Sequence, residues 1–182
     1  MYKYLLLLFT LLLSACCKDA VEQNSHVLAD AEKESIPYLM DSAIEFSYSN
    51  GFEFPLTTIS RQLTKRRTPS DHCGDNYSSF ENLSVELRSS SPELLITLDV
   101  TPKEIKPNLT ITINNREFNG DLTAAADIDT LTVNGTLYEH IYKLDHYSSD
   151  TLAIKPKQVL YNKTAGIIQI LMTNNEKFTI NE

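Results

Sequence analysis

Residues 44–56 read IEFSYSNGFEFPL, two runs in which every second residue is apolar, joined by Ser49-Asn50-Gly51. Strict alternation places one set of side chains on one face of an extended strand, so each run is a β-strand with a covered and an open side. The loop length then sets the register. A two-residue Asn-Gly loop would oppose Ser47 with Phe54 and mix the faces. A three-residue loop pairs Tyr48 with Phe52, Phe46 with Phe54 and Ile44 with Leu56, all on one face. Gly51 then takes the left-handed position that closes such a turn. Pro55 has no N–H to give a ladder, which predicts an edge position for the second strand.

Working outward, short strand signals recur toward the C-terminus. Leu83 to Leu87 alternates, Leu94 to Val100 is an almost continuous apolar run, and Leu109 to Ile113 alternates before Asn114-Asn115 turns the chain back toward Phe118. Leu131 to Val133, Asn134-Gly135 and Leu137 to Leu144 make another hairpin, and residues 159–180 read as three strands broken at Gly166 and at an Asn-rich turn. Between the first hairpin and these strands, residues 64–79 (TKRRTPSDHCGDNYSS) read as a long polar loop. No long segment has helical period; residues 58–65 and 121–128 supply a helical turn or two at most. The expected fold is mainly β with little helix: an antiparallel β-sandwich or a curved sheet closing toward a half-barrel.

The chain has 182 residues, 42% of them hydrophobic and 22% charged, which suits one globular domain. The net charge is −8. Lys3 is the only charge in the first 15 residues, so the remainder carries 15 basic and 24 acidic residues, or −9. A surface this acidic repels phosphate backbones, and no nucleic-acid partner is expected. The basic cluster Lys65-Arg66-Arg67 reads as a solvated loop within the polar stretch.

The first fifteen residues have the parts of a secretory signal: Lys3, an apolar core from Leu5 to Leu13, and the small residues Ser14-Ala15. The apolar run is too short to span a bilayer, which takes about 20 residues. Leu13-Ser14-Ala15-Cys16 resembles the lipobox of bacterial lipoproteins. The resemblance implies cleavage between Ala15 and Cys16 and attachment of diacylglycerol to the Cys16 sulfur, with acylation of the new amino group. Each buried CH₂ adds about 0.8 kcal/mol, so two or three acyl chains hold a protein on a membrane durably. Lys18-Asp19 is similar to a shortened form of the export tag of Bacteroidota-type lipoproteins, which implies the outer membrane and leaves its face open. Residues 16–35 are polar and read as a lipidated flexible tether ahead of a single domain, 36–182. Cys17 either carries nothing or pairs with Cys73 in an oxidising compartment.

Two further resemblances concern the same group. Val133-Asn134-Gly135-Thr136-Leu137-Tyr138 and Tyr161-Asn162-Lys163 with Gly166-Ile167-Ile168 are similar to segments of small envelope lipoproteins of the Bacteroidota, a group without an assigned activity. Such envelope proteins are also O-glycosylated at Asp-Ser/Thr-apolar triplets, a pattern matched at Ser42, Thr130 and Thr151.

Chemistry-bearing clusters are sparse. Residues 70–75 bring together Asp71, His72, Cys73 and Asp75, but neighbouring side chains diverge in extended chain and no second ligand pair stands at zinc spacing. His140 shares a predicted strand face with Tyr138 and Tyr142, without a matched carboxylate pair. No catalytic residue, metal or cofactor is expected. The sequence therefore reads as a membrane-anchored, non-enzymatic envelope module with a protein or glycan partner. The alternative is a lipid-handling module whose curved sheet encloses an apolar cavity.

Overall fold

The computed structural model describes residues 20–70, 76–146 and 153–181. Twelve strands and one short helix follow in the order β1 (Val21–His26), α1 (Asp30–Glu34), β2 (Ala43–Tyr48), β3 (Glu53–Pro69), β4 (Asn76–Ser90), β5 (Glu93–Val100), β6 (Leu109–Ile113), β7 (Arg116–Gly120), β8 (Ile128–Val133), β9 (Thr136–Asp145), β10 (Pro156–Asn162), β11 (Gly166–Met172) and β12 (Lys177–Asn181). They form a single sheet in the order β7-β6-β5-β4-β3-β2-β12-β11-β10-β9-β8. Every pairing is antiparallel except that of β1, which lies parallel to β4 off the main path. The mainly β class with little helix is as expected.

The opening hairpin has the register its pattern dictates. Ile44 opposes Leu56, Phe46 opposes Phe54, and the Tyr48 N–H donates to the Phe52 carbonyl at 2.7 Å. Gly51 has φ +87°. Phe46, Phe54 and Leu56 are fully buried, and Phe178 of β12 packs edge-on against Phe54 with ring centroids 5.4 Å apart. Pro55 is a correction, because β3 lies inside the sheet between β2 and β4. The proline is tolerated because the β3–β4 ladder begins only at Thr57, so on that side nothing asks Pro55 for an N–H.

The sheet curls until β7 lies against β9 without a ladder joining them. The Phe118 and His146 rings stand 5.6 Å apart, and His146 Nδ1 is 2.8 Å from the Glu117 carbonyl oxygen. The concave side is filled with side chains: Ile96, Leu98, Ile111, Phe118, Ile141 and Ile170 all have 0% exposure. Burial of this apolar surface, at about 25 cal/mol per Å², is the main stabilising force.

Three expectations need correction. The 16–35 tether is, from Val21 onward, strand β1 and helix α1, and Leu28 is buried with only 2% exposure. The reason is that residues 27–38 fold back onto the sheet. The Tyr161 hydroxyl donates to the Ser35 carbonyl, the Ile167 N–H donates to the Tyr38 hydroxyl at 2.5 Å, and the Arg61 guanidinium donates to the carbonyls of Lys33, Ile36 and Tyr38 at 2.9–3.2 Å. The polar stretch 64–79 is largely strand, so Lys65-Arg66-Arg67 stand on β3 opposite Glu81, Phe80 and Ser79. Residues 58–65, read as capable of a helical turn, are strand too. Among the described residues no helix is long and apolar enough to cross a membrane.

Candidate functional site

Two clefts lie side by side and share Lys163, which sits on the turn between β10 and β11. The turn is built by Asn162. Its side-chain oxygen accepts from the N–H groups of Thr164 and Ala165, both at 2.8 Å, while its amide donates to the Glu139 carbonyl at 2.6 Å. One asparagine thus shapes the turn and ties it to β9. The Lys163 ammonium stands 5.2 Å from the centre of the Tyr142 ring, and the Tyr142 hydroxyl donates to the Leu122 carbonyl at 3.2 Å. A cation over an aromatic face is held in place without a carboxylate partner.

The first cleft, about 410 Å³, lies between α1, the segment after β5 and the β7–β8 connection. Val100 and Leu122 give it a buried apolar floor and Val27 stands exposed at its edge; Glu32, Glu104 and Lys163 stand among its polar lining. Glu32 is committed to structure, accepting from the N–H groups of Ala29 and Lys103, each at 2.7 Å. Next in sequence to Leu122, the Asp121 carboxylate is held well below its usual range by the Lys106 ammonium and by the hydroxyl and N–H of Thr123.

The second cleft, about 520 Å³, is lined by Leu137, Tyr138, Glu139, His140, Tyr142 and the 162–164 turn. Leu137 is 59% exposed at its mouth. His140 departs from its expected place. Strand alternation puts it on one face with Tyr138 and Tyr142, yet its side chain is exposed while theirs are buried, and its φ is +55°. The β8–β9 register runs unchanged from Ile128 opposite Ile141 to Thr130 opposite Glu139, with Asp129 and His140 unpaired between them, and the neighbouring Ile141 is buried. A non-glycine residue with positive φ costs about 1–3 kcal/mol, and here it turns an imidazole outward beside Glu139 and Lys163. The cleft therefore offers a carboxylate, an imidazole and an ammonium around a small apolar floor. That set can recognise a ligand bearing both hydrogen-bond donors and acceptors. Among its described lining residues no nucleophile is paired with a base.

The two C-terminal segments singled out from the sequence meet here: Leu137 and Tyr138 come from one, Asn162 and Lys163 from the other. Sequence reading took them for turn and core residues and missed the site. The available signal was Asn162-Lys163-Thr164, a turn triplet with a cation that its own strands do not neutralise. Of the glycosylation triplets, Thr130 is exposed on β8. Ser42 is half-buried, its hydroxyl donating to the Leu39 carbonyl at 2.6 Å. Ala15, Cys16, Cys17, His72, Cys73 and Thr151 lie outside the described residues. Among the described residues no group of three His, Cys, Asp or Glu side chains is placed to hold a metal. No protein-family model, no curated protein and no solved structure matches the chain.

Proposed function

We propose that this chain is an envelope lipoprotein, anchored through lipid on Cys16 to the outer membrane, whose β body is a non-enzymatic binding module. The partner, a protein or glycan at the cell boundary, docks at the paired clefts around Lys163. One observation carries the anchored reading: Leu13-Ser14-Ala15-Cys16 follows a leucine-rich run directly behind Lys3, and strand begins only five residues later at Val21. The clefts support the binding half, since they gather Glu139, His140 and Lys163 with exposed Leu137 from separate elements. In the same reading Thr130 is a glycosylation position open to a transferase, because it is exposed on β8 at the end of the sheet order.

Cys16→Ser tests the anchor. It abolishes incorporation of labelled fatty acid and leaves the precursor unanchored; label that persists in the variant refutes the lipid assignment. A photo-cross-linking residue at Leu137, compared with one at the exposed Leu95 of β5, tests the site in intact cells. Adducts form at position 137 in preference to 95. Equal adducts at both positions refute the clefts as the docking surface.

A further inference from the structure

The β3–β4 hairpin outruns the rest of the sheet. β2 leaves β3 after Thr57, and β5 leaves β4 at Leu83, yet β3 and β4 stay paired out to Pro69 opposite Tyr77. Seven residues of β4, 76–82, therefore run past the end of β5, roughly 23 Å at about 3.3 Å per residue, with Glu81 and Asn82 at the base hydrogen-bonded to Leu28 and Asp99. β1 completes a three-stranded ribbon. It runs parallel to β4 from Val21 beside Asn76 to His26 beside Phe80, so the chain enters the fold at the ribbon's far end and climbs toward the body. Residues 62–69 are exposed throughout, as are Val21 to Ser25.

Among the described residues no apolar layer backs this ribbon, and polar side chains stitch it instead. The Ser79 hydroxyl donates to the Glu22 carboxylate and lies 3.2 Å from the Ser25 hydroxyl; Lys65 Nζ is 2.9 Å from Glu22, and the Gln23 amide donates to Asn76 at 2.8 Å. The Glu22 carboxyl is held below its usual range, chiefly by the Ser79 bond and then by Lys65. Near the far end the Arg67 guanidinium lies 4.8 Å from the centre of the Tyr77 ring. Arginine over tyrosine is an amphipathic pair suited to a lipid–water boundary.

We propose that the ribbon is a stand-off strut: its far end, with Val21, Arg67, Thr68 and Tyr77, rests on the headgroups, and the clefts are held a strut's length above them. The inference rests on the Cys16 anchor. Cys16 and Val21 are five residues apart, a span of at most about 18 Å, so the chain's entry point stays at the membrane. Charge sets which part turns toward the lipid. The ribbon and residues 70–75, which follow β3 in the sequence, carry Lys65, Arg66 and Arg67 against Glu22, Asp71, Asp75 and Glu81, only −1 of the −9 carried beyond Ala15. The body carries the rest and is repelled by an anionic surface over about a Debye length of 8–10 Å. The cleft residue Val27 follows β1 directly, six residues or roughly 20 Å above the entry point.

The chain contains no tryptophan, so a single introduced one reports its own position. Full chain carrying Tyr77→Trp, Thr68→Trp or Leu137→Trp is purified from bacterial membranes and reconstituted in phosphatidylethanolamine–phosphatidylglycerol vesicles containing headgroup-spin-labelled lipid. Thr68 is exposed, which keeps the test alive if Tyr77→Trp misfolds. The strut requires severalfold stronger quenching at positions 77 and 68 than at 137. Chain that floats with the vesicles but is quenched equally at all three positions, or at none, overturns the strut and leaves the anchor standing. Chain that does not float removes the anchor and the strut together.

Discussion

Gly51 and Gly166 have nearly the same backbone, φ +87° and +81°, but opposite surroundings. At Gly51 an added Cβ meets nothing within 4 Å. At Gly166 it would overlap the Tyr38 hydroxyl and Cζ and come within 2.9 Å of Cε1. Alanine at either site carries the left-handed cost of about 1–2 kcal/mol. At Gly166 it also displaces a buried ring, a strain of about 1–3 kcal/mol. Ile167 then loses the Tyr38 hydroxyl as its N–H acceptor, which costs about 1–3 kcal/mol more when the group stays buried. These contributions add to about 3–8 kcal/mol, so Gly166→Ala is expected to lose at least about 3 kcal/mol, near the upper end for one substitution, against about 1–2 for Gly51→Ala. For a domain of this size each kcal/mol moves Tm by about 2–4 °C, so thermal melts should separate the variants by several degrees, and urea melts by the free energies themselves. Both are read on chain beginning at residue 18. Losses equal within about 0.5 kcal/mol would refute the argument that Tyr38 occupies the space beside Gly166.

Arg61→Met removes three bonds to the carbonyls of Lys33, Ile36 and Tyr38 and should cost about 2–4 kcal/mol in urea melts; Arg61→Lys fails to restore it, because a point charge cannot span three acceptors. Full rescue by lysine would refute that reading. Burial pushes the Tyr38 hydroxyl far above its ordinary value of 10.0, and burial followed by the Tyr38 charge raises Tyr161 likewise. Above pH 10 the unfolded chain gives up these protons while the folded chain keeps them. Stability contributed by the two groups is thus complete below pH 10 and falls as pH rises toward the folded values, by about 1.4 kcal/mol per pH unit for each tyrosine. Urea melts from pH 8 to 11 check this, and Tyr161→Phe should make the decline shallower. An unchanged slope would show that Tyr161 ionises alike in both states.

The parts of this fold legible in the sequence are those whose cause is local. The 44–56 register follows from alternation and one glycine, and the Asn114-Asn115 and Asn134-Gly135 turns follow from residues that tolerate positive φ. The ribbon was hidden for a physical reason. With both faces in water, residues 62–69 need no alternation, and β1 is held by serine, glutamine and glutamate side chains that look like tether. Leu28, Ile36 and Tyr38 were too widely spaced to announce a buried segment, because they meet the sheet through partners more than 20 residues away, such as Arg61 and Ile167. The clefts were hidden more deeply still. Lys163 acquires its place from Tyr142, twenty-one positions earlier, and His140 stands outward with a left-handed backbone that its residue type does not announce.

Strand β12 has a consequence for biogenesis. Only five residues long, it is hydrogen-bonded to β2 on one side and β11 on the other, so it is the seam between the group β2–β7 and the group β8–β11. A nascent chain makes β2 to β11 before it makes this keystone. Until residues 177–181 are free, the two halves have no ladder between them, and a nonsense codon near position 176 would cut the sheet through its middle.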